Sequence, residues 1–388
     1  MNEFSNVKMF SLAGLIFTTG LVGESQAAVD NSSGALTIAG RNNVVISGVK
    51  IANPNGDCVV IANSTNVTIE RSEIGPCHGR GIFVDGSAGV FVYDNYIHVE
   101  DPTPGCPPCD IRDNILTRNS SNLAIQGNVL AYGESNIELS VGTHDATVTG
   151  NFLLNPRAPH PRGVQFQAVS SSNLKVVDNY SLSSNDTAKY LYPSQQQGAF
   201  DFFETHDFEA RRNYVVGGQA RNGCGMTIDK GANRGRVVDN IMVDSGQCGI
   251  VVASGSGHVV KGNKILDLIP VAESPGNIGI IVENFTDAPC GATGPADRIR
   301  IADNIVYQRR PEGKPEMHMF DKHNCGTIDY ANNITGAAAY ARLYPMAKTN
   351  PAPLIPPRPR ACVARSPYST QTSAPLCPRP SDRADRER

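Results

Sequence analysis

The stretch Gly81-Ile82-Phe83-Val84, running through Val90-Phe91-Val92 to Asp94-Asn95-Tyr96-Ile97, decides how this chain folds. It holds a small residue, an apolar-x-apolar triplet, a polar turn, a second triplet, and then an acid or glycine followed by asparagine. The same frame returns as Asn114-Ile115-Leu116-Thr117 to Gly127-Asn128, and as Asn136-Ile137-Glu138-Leu139 to Gly150-Asn151. It continues through Gly163-Val164-Gln165-Phe166 to Asp178-Asn179, and Ala199-Phe200-Asp201-Phe202 to Arg212-Asn213. Gly225-Met226-Thr227-Ile228 to Asp239-Asn240, Gly249-Ile250-Val251-Val252 to Gly262-Asn263, and Gly279-Ile280-Ile281-Val282 to Asp303-Asn304 follow. Upstream, Ala35-Leu36-Thr37-Ile38 and Cys58-Val59-Val60-Ile61 fit it as well.

Side chains alternate along a strand, so each triplet sends two residues inward and one outward. A unit of two or three such short strands cannot bury its own inner face, but stacked on identical units it builds one continuous core. The pattern therefore predicts a solenoid of about ten or eleven coils. An antiparallel sandwich would instead show hairpin turns such as Asn-Gly between neighbouring strands. The recurrent asparagine is expected to serve twice, by adopting the left-handed turn conformation and by hydrogen-bonding its amide to the next coil.

The remaining segments bound the class. Met9 to Gly23 is a mostly apolar run followed by Ser25-Gln26-Ala27, which reads as a secretory signal peptide over residues 1–27. The run is too short for a spanning helix, and no membrane insertion is expected after cleavage. The 34 basic and 37 acidic residues leave no footprint for nucleic acid. Ten cysteines in an oxidising compartment predict disulfides. Cys224 and Cys248 each precede the small residue that opens a coil, which stacks them within bonding reach. Cys58 with Cys77 and Cys290 with Cys325 are the further expected pairs, with Cys106-Pro107-Pro108-Cys109 stapling a loop and Cys362 bridging Cys377. The solenoid is expected over residues 28–335, followed from 336 to 388 by a short helix, near Ala337 to Ala347, and a Pro/Arg-rich tail.

From residue 35 to about 333 the sequence resembles the right-handed parallel β-helix repeat family, which includes pectate lyase-like and polygalacturonase-like enzymes. The resemblance implies a single-stranded right-handed parallel β-helix. Asp57-Cys58-Val59-Val60-Ile61, followed by His78-Gly79, is similar to signatures of polygalacturonase-type hydrolases, whose mechanism uses three aspartates. Here Gly56 precedes Asp57, Ala35 stands one coil earlier, and no Arg-x-Lys follows in place, so two of those acids are missing. A motif counts only with its partners.

The outward positions of the first strand point to a different place. Read coil by coil they run Thr37, Val60, Phe83, Leu116, Glu138, Gln165, Asp201, Thr227, Val251, Ile281, and two residues on they include Asp85, Arg118, Gln167, Asp229 and Glu283. Polar groups gather in the middle coils. With Arg162, Glu204, His206 and Lys230 beside them they form a strip of mixed charge, expected to be a groove that binds a polysaccharide. Glu138 and Asp201, with Asp229, Lys230 and Arg162, are the candidate catalytic residues; Gln165, Gln167, Glu204, His206 and Asp85 are candidate contacts to substrate.

Two carboxyl groups two coils apart stand roughly 9 to 10 Å from each other, a spacing that suits inverting hydrolysis. Alternatively, Lys230 or Arg162 takes a proton from a uronic acid in a β-elimination, with calcium held by Asp201, Glu204 and Asp229. The sequence leaves open a lyase, a hydrolase, a uronate epimerase and a non-catalytic polysaccharide-binding or adhesin-like protein. A monomer is expected. The histidines His78, His206, His318 and His323 lack metal-site spacing, and structural or solvated roles are expected for them.

Overall fold

A computed structural model describes residues 34–99, 113–156, 164–183, 198–217, 223–271, 276–285, 289–291, 294 and 297–348. Each coil contributes three short strands, and equivalent strands stack in parallel into three sheets of eleven strands. The first coil comprises Leu36–Ala39, Asn42–Ser47 and Lys50–Asn53; the eleventh comprises Met319–Asp321, Ile328–Ala331 and Ile334–Thr335. The helix Gly336–Lys348 follows the last strand, with Ala339 and Leu343 buried. No described helix is long and apolar enough to cross a membrane. The signal-peptide segment and the Pro/Arg-rich tail lie outside the described residues.

Inward side chains from all three sheets meet in one core that runs the length of the solenoid, from Ile38 to Val306 and Cys325. Its widest side chains, Phe166, Phe200, Phe202 and Phe208, sit in the middle coils, where the rings of Phe202 and Phe208 stack at 4.1 Å. The small residue that opens many coils has a steric origin. A Cβ on Gly249 would lie 2.9 Å from the Gly279 carbonyl oxygen of the next coil and closer still to Ile265.

The asparagines form an unbroken ladder. Nδ2 of Asn95 donates to Oδ1 of Asn128, and the relay passes at 2.9–3.0 Å through Asn151, Asn179, Asn213, Asn240, Asn263 and Asn304 to Asn333. Those side chains point inward, most of them fully buried. The expected amide pairing is therefore present, but the left-handed turn falls elsewhere. Positive φ belongs to the residue before each asparagine: Asp94, Gly127, Gly150, Asp178, Arg212, Asp239, Gly262, Asp303 and Asn332. The division of labour is physical, since one residue must reverse the chain while the next must keep its amide aimed along the stacking direction.

A second relay, of Ser64, Ser87 and Ser120, lines the turn between the first and second sheets, each hydroxyl accepting from the backbone N–H of the residue one coil below. Disulfides join Cys58 to Cys77, Cys224 to Cys248 and Cys290 to Cys325. Cys106, Cys109, Cys362 and Cys377 lie outside the described residues.

Candidate functional site

The register of the first sheet defines what its outer face presents. Phe83 pairs with Leu116, Leu116 with Glu138, Glu138 with Gln167, Gln167 with Asp201, Asp201 with Thr227, and Thr227 with Val251. The residue between Glu138 and Asp201 is thus Gln167. Gln165, expected there from sequence, is two residues out of that column and completely buried. Its Oε1 accepts from Asn136, and its Nε2 donates to Leu182 O and Ser183 Oγ, so it closes a corner ladder of Asn114, Asn136 and Gln165. Gln165 therefore has no free amide to offer a substrate.

Asp201 is a strongly perturbed group of the column. Its residue surface is 1% exposed although it lies on the outward side of the strand Gly198–Phe203. Gln167 Nε2 donates to Oδ2 at 3.3 Å, while Oδ1 is buried with no hydrogen-bond partner. Burial, reinforced by the charge of Asp229, pushes the carboxyl up to about 8. Such a group carries its proton at neutral pH and is able to donate it.

Asp229 lies two residues beyond Thr227, the Asp201 partner, on the adjacent coil. Burial raises its carboxyl as well, opposed by the Lys230 backbone amide and charge. Lys230 N–H donates to its Oδ1 at 2.7 Å. From a strand spacing of ~4.8 Å and a rise of ~3.3 Å per residue, the Asp201 to Asp229 diagonal is roughly 8 Å. Asp201 and Asp229 thus form a pair one coil apart, in addition to the two-coil separation of Asp201 from Glu138.

The other candidates are placed as follows. Glu138 is half-buried, and its charge joins burial and that of Glu134 in raising the Asp113 carboxyl. Glu204 occupies the left-handed turn that ends its strand and accepts from Ser170 Oγ at 2.8 Å. His206 opens the strand His206–Arg211 and belongs to the second sheet, round the corner from the column. Lys230 is exposed. Asp85 pairs with Arg118 at 2.9 Å, and that hydrogen bond lowers its carboxyl pKa. Arg162 lies outside the described residues. Asp57 is held by Arg80, which places Nη2 2.6 Å from Oδ2 and its backbone N–H 2.7 Å from Oδ1.

Sequence reading missed Asp113, a buried acid whose Oδ1 accepts from Ser135 N–H, though its position beside the coil-opening Asn114 was visible. The strip ends as the outward positions of the sequence lead one to expect. Above Thr227 the outer face turns apolar and buried, through Val251, Ala253, Ile278 and Ile281, with Phe320 packed against them. Among the described residues no three His, Cys, Asp or Glu side chains are grouped to hold a metal ion, Asp201, Glu204 and Asp229 included.

Residues 34–192 match the family model described as a right handed beta helix region. No curated protein matches the chain. Among solved structures it is similar to PfbA, a surface adhesin of Streptococcus pneumoniae, at 12% identity and a TM-score of 0.51, over 78% of this chain and 70% of that one. It is also similar to a tailspike protein of E. coli bacteriophage HK620 in complex with a pentasaccharide, at 10% identity and a TM-score of 0.45, over 77% of this chain and 61% of that one. A third is the DFA-IIIase of Arthrobacter chlorophenolicus A6 in complex with GF2, at 13% identity and a TM-score of 0.44, over 76% of this chain and 82% of that one. Its three stacked parallel sheets and its matched repeat segment make the chain a right-handed parallel β-helix.

Proposed function

We propose that this protein is an exported carbohydrate-active enzyme that hydrolyses an acidic polysaccharide with inversion, in a groove along the first sheet. The observation that carries the reading is Asp201, an outward-facing carboxyl that keeps its proton at neutral pH, one diagonal from Asp229. The backbone diagonal between them, roughly 8 Å, is compatible with the ~6.5–9.5 Å between carboxyl groups that admits a water between acid and base. Asp201 donates its proton to the glycosidic oxygen as the bond to the anomeric carbon breaks. Asp229 takes a proton from the water that attacks that carbon from the opposite face. The pair ends with its protonation exchanged, and solvent restores it. Gln167 orients the acid through its Oδ2. Export fits the three disulfides, since such bonds persist in oxidising compartments.

The test is incubation of the full chain with uronic-acid and neutral polysaccharides, following both reducing ends and the ultraviolet absorbance of unsaturated uronates. New reducing ends without unsaturation are expected, and Asp201→Asn and Asp229→Asn are each expected to abolish them. Unsaturated ends would replace hydrolysis by β-elimination, with Lys230 as the proton acceptor. Binding without cleavage would leave a polysaccharide-binding protein. Undiminished turnover by Asp201→Asn overturns the assignment.

A further inference from the structure

Four coils below Asp201, the same outer face carries an unusual arrangement around one aromatic ring. The Arg80 guanidinium carbon lies 3.6 Å from the centroid of the Phe83 ring, and that of Arg118 lies 5.1 Å from it. Each arginine is steered by one aspartate. Asp57 takes Nε and Nη2 of Arg80, and Asp85 takes Nη2 of Arg118. Among the described residues Arg118 Nε and Nη1 and Arg80 Nη1 have no acceptor. The Arg118 side chain is 52% exposed and that of Arg80 26%.

Phe83 stands in the column that leads through Leu116, Glu138 and Gln167 to Asp201. We propose that Arg118, backed by Arg80 on the shared Phe83 ring, is an anion subsite that reads a carboxylate of an acidic sugar bound along the first sheet. The inference rests on the reading of that sheet as a sugar groove. A guanidinium offers a planar fork of donors to a carboxylate, and stacking on an aromatic ring holds the plane of that fork still. Asp85 and Asp57 do not use up the forks; they fix which edge is left facing solvent. Four ladder steps separate Phe83 from Asp201, roughly 19 Å at the spacing of stacked strands. A substrate must therefore be several sugar units long to reach both places, and short oligosaccharides forgo the anion contact.

The test measures affinity of the full chain carrying Asp201→Asn, so that nothing is cut, for polygalacturonate and for the same polymer with its carboxyl groups reduced to alcohols. Adding Arg118→Ala is expected to weaken polygalacturonate binding about tenfold or more and to leave the reduced polymer unaffected. Arg118→Lys, which keeps the charge but loses the fork, is expected to recover only part of the loss. Asp85→Asn removes a competing anion and is expected to bind the acidic polymer at least as tightly as the parent. Equal affinity with and without Arg118, equal losses on both polymers, or no binding of polygalacturonate by the parent would each overturn the subsite. Its failure is distinct from that of the catalytic assignment, which is decided by turnover of the Asp201→Asn chain with Arg118 intact.

Discussion

Gln167 donates to Asp201 Oδ2 across one strand spacing, while Asp201 Oδ1 is buried without a partner. A carboxylate so placed would be costly, which is why burial and Asp229 hold the proton on until about 8. The pH behaviour follows. The carboxyl of the unfolded chain titrates near 3.9. Between about pH 4 and pH 8 the unfolded state has lost this proton and the folded state still binds it, so stability falls as pH rises through that window. Asp201→Asn, neutral and nearly isosteric, is expected to match the parent near pH 4 and to melt at a higher temperature than the parent at pH 8. Activity of the parent is expected to decline above about pH 8 as the acid is lost. Thermal melts across the range check the first expectation, and a pH–rate profile the second. An Asp201→Asn melt that tracks the parent at every pH contradicts the buried acid.

Gln165 and Gln167 show where sequence reading stopped. The strand Val164–Val169 offers two overlapping apolar-x-apolar windows on one face, Val164 with Phe166 and Phe166 with Ala168, and alanine is too small to announce an inward position. The register is set by Phe166, which packs against Phe200 and aligns with Ile137, leaving Val164 opposite Ser135. Period, coil count and the stacking asparagine were legible because each coil repeats them. The site was legible only as a region, because a two-residue shift keeps the same face while moving every side chain one place along it. The two glutamines separate the roles. Gln165→Ala is expected to lower stability by about 2 kcal/mol or more, since Asn136 Nδ2 loses its buried acceptor and Leu182 O and Ser183 Oγ lose a donor. Gln167→Ala is expected to leave the melting temperature within a few degrees of the parent and to reduce turnover. Denaturation and rate measurements on the two variants check the assignment, and the reverse pattern would return Gln165 to the groove.

The asparagine ladder predicts a position-dependent cost. The Asn151 side chain makes four hydrogen bonds: its Oδ1 accepts from Asn128 N–H and Nδ2, and its Nδ2 donates to Ile125 O and Asn179 Oδ1. Replacing it by alanine orphans buried donors on one side and acceptors on the other, an expected loss of about 3 kcal/mol or more. Asn333 ends the ladder and is partly exposed, so water replaces much of what its removal takes away. Asn333→Ala is expected to cost about 1 kcal/mol. Chemical denaturation of the two variants measures the difference. Equal losses would show that the ladder is energetically a set of separate turns rather than a buried relay.

His258 supplies the opposite pH sign from Asp201. It is completely buried, Nδ1 accepts from Gly235 N–H at 3.0 Å, and Nε2 lies 3.1 Å from Ser254 O, so the neutral ring carries its proton on Nε2. Burial pushes its pKa down to about 4, against an unfolded value of ~6.5. Below pH 6.5 the unfolded chain takes up a proton that the native ring refuses, and stability falls as pH drops towards 4. The contribution at pH 5 is on the order of 2 kcal/mol. His258→Gln loses the ring packing and is expected to be less stable at pH 7, but the further loss between pH 7 and pH 5 should shrink by about that amount. Unfolding free energies of both chains at the two pH values decide it: an undiminished acid-side loss in His258→Gln would mean that another buried group governs the acid limb.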